Sequence, residues 1–208
     1  MKFKIKKAKI ILYICLLLFI ILTIGVMTNI TEVLDTNMES FIIDIRNDKL
    51  TNIMKIITNI GGAYSLSVIS ILLFTLIKKK KTPIYIIINL VSVFLTSQII
   101  KLILRRDRPS AIFLTYAHGF SYPSGHTMVS TAFFLFITYL ITNKVKKKFT
   151  KILLYTCSLL LTTLIGFSRI YLGVHFLTDV IGGLLLGISY AIIFINIYIS
   201  INEVKSWK

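Results

Sequence analysis

The sequence predicts an all-α integral membrane protein: a bundle of six transmembrane helices with amphipathic helices in its first outer loop. Three observations lead there. Hydrophobic residues make up 56% of the 208 and charged residues only 15%, against about 25% charged in an average soluble domain. Mean hydropathy is +0.84, so water is not the main solvent. The apolar residues also gather in six runs, 10–27, 63–77, 84–100, 127–141, 152–167 and 180–201, none of which holds a charged side chain. The length accommodates a single domain over 1–208.

The first run follows five lysines, as in a signal peptide. Its apolar stretch is too long for a cleavable leader and no small-x-small site follows Met27, so an uncleaved first span is expected. Segment 28–62 is the longest between runs. Leu34, Met38, Phe41, Ile42 and Ile45 recur in it at helical spacing, as do Leu50, Ile53, Met54 and Ile57, with acidic and polar residues on the other faces. Such helices either lie on the membrane surface or pack over the spans. The second, fourth and fifth runs fall short of the roughly 17–20 residues a span needs, and gain length from neighbours such as Ile57 and Ile60, or Leu172 and Val174. In the sixth run, Gly183 and Gly187 form a small-xxx-small pair, the signature of a helix-packing face. Cys15 and Cys157 sit inside apolar runs, far from any His or Asp, and read as inert packing residues.

A net charge of +16 raises nucleic acid as a partner, but the basic residues lie in short clusters between apolar runs, with no basic domain to hold them. Cytoplasmic loops obeying the positive-inside rule explain them better, and no nucleic acid is expected. The N-terminus, 78–81, 144–151 and the C-terminal tail carry 16 of the 24 Lys and Arg and a single acidic residue, Glu203. Six spans put these four segments on one side, the cytoplasm, with both termini there.

The remaining loops then face outward, and one of them carries Lys101, Arg105, Arg106, Arg108 and Pro109. A basic cluster on that side runs against the charge rule, and binding an anionic headgroup supplies a reason for it. Arginine offers a planar fork of donors to phosphate oxygens and lysine a compact charge. Arg105 and Arg106 are expected to widen the positive field, Asp107 to pair with a neighbouring arginine, and His118 to be an interfacial histidine. Pro123-Ser124-Gly125-His126 opens the fourth run. Glycine lets a ligand approach the backbone, a helix start presents free N–H groups to an anion, and His126 adds a titratable ring. Ser124 taken singly reads as an ordinary N-cap. Ser168-Arg169 is followed by His175 and Asp179, which are four apart and share a helical face. A carboxylate on one ring nitrogen fixes the tautomer and makes the other a better nucleophile. A two-His, one-Asp metal site is the competing reading, disfavoured by the scarcity of outer carboxylates.

These residues resemble the type 2 phosphatidic acid phosphatase family of membrane lipid phosphatases. Its three motifs occur in order: Lys101, six residues, Arg108-Pro109; then Pro123-Ser124-Gly125-His126; then Ser168-Arg169, five residues, His175, three residues, Asp179. Every diagnostic position matches, and the six-span layout extends the likeness over essentially the whole chain. It is most similar to small bacterial members acting on phosphatidylglycerophosphate or undecaprenyl diphosphate. The resemblance implies a lipid phosphate substrate, a phosphohistidine formed on His175, orientation of His175 by Asp179, and proton transfer by His126. It implies phosphate binding by Lys101, Arg108, Ser124, Gly125 and Arg169, with no cofactor and no metal. A phosphotransferase using the same motifs is one alternative. A phosphate-binding transporter is another, disfavoured because the spans hold few polar groups at depth.

Overall fold

Within hydrocarbon only a helix or a closed barrel satisfies its own backbone, and the apolar runs accordingly become helices. The computed structural model describes residues 2–78, 81–109 and 113–204, and every regular element among them is an α-helix. In chain order these are α1 Lys2–Met27, α2 Glu32–Ile45, α3 Asp48–Ile60, α4 Ala63–Leu76, α5 Lys81–Leu104, α6 Gly125–Thr142, α7 Lys148–Tyr171 and α8 Leu177–Val204.

Helices α1, α5, α6, α7 and α8 are each long and apolar enough to cross a bilayer. The second expected span differs. With 14 residues, α4 covers about 21 Å, short of a hydrocarbon core of about 30 Å. It continues α3 across Gly61-Gly62 through a 46° bend, and the two together reach the required length. Ile57 and Ile60, expected to lengthen this span, lie across that bend on α3 rather than on α4 itself. Gly61 permits close approach to α7, since a Cβ there would lie 2.5 Å from Ile165 Cγ2.

Helix α6 is the hub, packed against α5, α7 and α8. Of its apolar stretch 61% is buried, against 11–33% in the other four spanning helices. Its small and hydroxylated residues, Thr127, Ser130, Thr131 and Ala132, allow close backbone approach, while Phe133 and Phe136 fill the core beside Leu66, Val93 and Phe194. The expected glycine face of α8 meets α6. A Cβ at Gly183 would come 2.8 Å from the Ser124 carbonyl oxygen, and one at Gly187 2.6 Å from Thr131 Cβ. Cys15 is buried as expected, whereas Cys157 lies on the outside of the bundle.

The two amphipathic helices pack over the spans, α2 against α7 and α8, and α3 against α7. Tyr171, at the end of α7, holds their junction: its hydroxyl accepts from Asn47 N at 3.1 Å and lies 3.3 Å from Thr51 Oγ1. Arg46 Nε donates to the Tyr171 carbonyl at 3.2 Å. The apolar face expected of α2 is divided, with Ile42 buried but Leu34 and Phe41 about half exposed. The expectation that acidic residues point away from the bundle fails at Asp35, which is 2% exposed and faces inward. Alternation of the spans brings the end of α5, the starts of α6 and α8, the end of α7 and the α2–α3 layer to one end of the bundle.

Candidate active site

Lys101 lies in the last turn of α5 on a buried face it shares with Asn89, Val93 and Ser97. Its Nζ donates to the carbonyls of Phe120 at 2.6 Å and Ser121 at 2.9 Å. Beyond α5 the chain leaves the helix at Arg105, whose φ is +49°. Arg108 Nε donates to Gly119 O at 2.9 Å, Nη1 to Val174 O at 2.6 Å, and Nη2 to His118 O at 2.9 Å. The first-motif cations thus knit the 118–121 strand of backbone to the 174–175 loop. Burial pulls the Arg108 guanidinium below its usual value and Asp179 opposes this, but the group stays charged at physiological pH.

The second motif lies at the start of α6 and opens on a cis Tyr122–Pro123 bond. Ser124 occupies the N-cap position without making a side-chain cap bond. Its Oγ accepts from Thr127 Oγ1 at 3.0 Å, and its N–H donates to the Asp179 carbonyl at 2.9 Å, joining the second motif to the third. At the end of α7, Arg169 Nη1 donates to Thr58 Oγ1 of α3 at 3.0 Å. Among the described residues the buried Arg169 Nε N–H has no acceptor, a costly state for a charged donor that an anionic oxygen would relieve.

His175, 3% exposed, precedes α8. Its Nδ1 lies 3.2 Å from Asp179 Oδ2 and 3.2 Å from Ser121 Oγ. Oδ2 also accepts from the Ser121 hydroxyl and, at 2.9 Å, from Phe176 N. An Nδ1–H directed at the carboxylate leaves a lone pair on Nε2, which stands 3.4 Å from Arg108 Nη1. Burial drives the His175 ring down to about 3, outweighing the bond and charge of Asp179, which act upward, with Lys101 and Arg169 pushing further down. The imidazole is therefore neutral, as a nucleophile must be.

Of the eight residues singled out from sequence, Lys101, Arg108, Gly125, His126, Arg169 and His175 line one cavity of about 730 Å³. Ser124 and Asp179 are fully buried and stand behind its wall. The cavity continues between α4 and α5 along Ala63, Leu90, Val91, Phe94 and Leu102, so its charged end opens into an apolar arm. Tyr116 and His118 stand at its rim, ring centroids 5.3 Å apart. Among the described residues no three His, Cys, Asp or Glu side chains are grouped to hold a metal ion, and both Asp179 oxygens are engaged by protein donors.

Asp35, Thr58, Arg106 and Ser121 support the site without having been assigned to it from the sequence. Arg106 does not simply widen the positive field: it is paired with Asp35 at 2.7 Å and Asp179 at 2.6 Å. Asp107, expected to pair with a neighbouring arginine, is exposed and forms no ion pair among the described residues. Ser121 braces both His175 and Asp179, and Thr58 holds Arg169. Asp35 left a trace in the sequence, as a carboxylate in register with Met38, Ile42 and Ile45 on the inward stripe of α2.

The chain matches the model of the PAP2 superfamily over residues 82–202. It is 32% identical over 177 residues to phosphatidylglycerophosphatase B of Bacillus subtilis, covering 83% of this chain and 87% of that protein. It is 30% identical over 185 residues to an undecaprenyl-diphosphatase of Sulfolobus acidocaldarius, covering 84% and 85%. The crystal structure of a transmembrane PAP2-type phosphatidylglycerolphosphate phosphatase from Bacillus subtilis superimposes with a TM-score of 0.83 at 27% identity, over 91% of this chain and 96% of that one. That of Aquifex aeolicus LpxE gives 0.59 at 27% identity, over 78% and 95%. A family match across more than half of the chain, with relatives aligned over most of both partners' lengths, makes this protein a member of the PAP2 superfamily.

Proposed function

We propose that this protein is a multi-pass membrane phosphatase that hydrolyses a lipid phosphate monoester or diphosphate through a phosphohistidine. The observation that carries this reading is the convergence of Lys101, Arg108, His126, Arg169 and His175 on a single cavity with an apolar arm. Lys101, Arg108 and Arg169, with Ser124 and the Gly125 N–H, hold the phosphoryl oxygens and offset charge as it builds in the transition state. Ser124 is fully buried, so its part requires the hydroxyl to turn towards the cavity.

His175 Nε2 attacks phosphorus with its lone pair. The bond from phosphorus to the lipid-side oxygen breaks, its electron pair stays on that oxygen, and His126 supplies the proton. Asp179, hydrogen-bonded through Nδ1, steadies the positive ring that results. Water then attacks the phosphohistidine, passing a proton back to His126, and the P–N bond breaks to release inorganic phosphate and neutral His175. Three fixed cations supply the charge stabilisation that a metal ion provides elsewhere.

By the alternation of the spans, Lys78, Lys81 and the basic segment 144–151 fall at the opposite end of the bundle from the site. The positive-inside rule assigns that end, with both termini, to the cytoplasm and the site to the extracytoplasmic face. An outward site suits undecaprenyl diphosphate better than phosphatidylglycerophosphate or phosphatidic acid. The test is phosphate release by purified protein from each of these lipids, with and without chelator and with no acceptor alcohol added. Chelator-resistant release from at least one lipid is expected. Release that requires an acceptor hydroxyl would make the protein a phosphotransferase, and no release from any would overturn the reading.

A further inference from the structure

The Asp179 carboxylate is held from both sides. Oδ2 faces His175, as described, while Oδ1 accepts from Arg106 Nη1 at 2.6 Å. Arg106 is fixed in turn. Its Nη2 donates to Asp35 Oδ2 at 2.7 Å, Nη1 also reaches Thr178 Oγ1 at 2.8 Å, and the guanidinium carbon lies 4.2 Å from the centroid of the Phe176 ring. Asp35 is clamped as well, accepting from Thr178 N at 3.0 Å on Oδ1 and from Thr178 Oγ1 at 2.6 Å on Oδ2. These bonds interlock, so each group's position is determined by the others.

We propose that Arg106, shared between Asp35 and Asp179, is a positioning residue for the phosphohistidine reaction, and that Asp35 sets how much negative charge Asp179 presents to His175. The inference rests on the mechanism proposed above. Arg106 contributes in two ways. It stops the carboxylate from turning, so that one oxygen stays on Nδ1 while Nε2 points into the cavity. It also carries a positive charge, which by itself would weaken the hold of Asp179 on an imidazole turning cationic. Asp35 takes up part of that charge: the three groups together carry one net negative charge, opposite the ring that needs it. Neither Arg106 nor Asp35 lines the cavity, so both act through Asp179 rather than on substrate. Asp35 belongs to α2, outside the 82–202 stretch that defines the family, so a helix of the surface layer adjusts the chemistry of the core.

The experiment compares Arg106→Gln, Asp35→Asn, Asp179→Asn and the Arg106→Gln/Asp179→Asn double variant in detergent. It reads kcat, KM, and melting temperature on the preferred lipid. Arg106→Gln is expected to lower kcat by about 10- to 100-fold, the range spanned by one charge-assisted hydrogen bond, with KM changed less than about twofold. Asp35→Asn, which keeps the shape and removes the charge, is expected to lower kcat by about tenfold. The double variant is expected to be no slower than Asp179→Asn, because Arg106 acts only through that carboxylate. A normal kcat in folded Asp35→Asn and Arg106→Gln proteins, an effect on KM alone, or additive losses in the double variant would each overturn the proposal. Should Arg106→Gln fail to fold, the nearly isosteric Asp35→Asn decides the question by itself. A fully active Asp179→Asn enzyme would instead refute the phosphohistidine scheme itself.

Discussion

Arg108 Nη1 stands 3.4 Å from His175 Nε2, so a guanidinium faces the one imidazole nitrogen that Asp179 leaves uncommitted. A phosphoryl group presented to Nε2 would bring its oxygens against that guanidinium. His175→Ala is therefore expected to cut turnover by at least about 10³-fold while leaving the protein membrane-inserted and its melting temperature within a few degrees. Substantial phosphate release by this variant would remove the nucleophile assignment.

His126 lines the same cavity from the first turn of α6. If it protonates the departing oxygen, its removal should matter most where the leaving group is a poor one. His126→Ala is expected to lose about 10²–10⁴-fold on an alkyl phosphate and much less on an aryl phosphate whose phenol leaves unaided. Equal losses on both substrates would point to a binding role instead.

Burial holds the folded His175 ring near 3, whereas an unfolded histidine titrates near 6.5. Between these values only the unfolded chain takes up the proton, so acid favours unfolding. The stability linked to this ring is fully present above about 6.5 and declines as pH falls toward 3. By pH 4.5 the deficit amounts to about 2–3 kcal/mol. Thermal unfolding in detergent at pH 7.5 and 4.5 should show a larger drop for the wild type than for His175→Gln. Equal drops would show that this ring does not contribute.

Gly183 faces the Ser124 carbonyl so closely that a Cβ would come within 2.8 Å of it and 3.0 Å of Thr127 Cβ. Gly183→Ala must part α8 from α6 at the point where the second and third motifs meet. A destabilisation of about 1–3 kcal/mol is expected, with a fall in activity. Gly119 offers a contrast: its Cβ would meet nothing within 4 Å, but its φ of +68° makes Gly119→Ala a test of backbone strain rather than of space.

The parts legible in the sequence were those governed by local spacing. Apolar runs gave the spans, the periodicity of 28–62 gave α2 and α3, and the i, i+4 interval joined His175 to Asp179. What escaped was governed by partners distant along the chain. Asp35 meets Thr178 across 143 positions and Thr58 meets Arg169 across 111, and no periodicity encodes such meetings. The bend at Gly61-Gly62 was hidden because hydropathy registers how apolar a segment is and not its direction. Ser124 shows the limit of reading a motif as a surface: the hydroxyl belongs to the site by sequence, yet it lies behind the cavity wall.

Val91, Phe94 and Leu102 are exposed on the flank of the bundle and also line the cavity that holds His175. A lipid entering between these side chains would keep its tail among its neighbours and never cross into water. For an enzyme fed in this way, the supply of substrate is a mole fraction within a two-dimensional film. Diluting the film with inert lipid or detergent should slow turnover even when the amount of substrate per millilitre is unchanged.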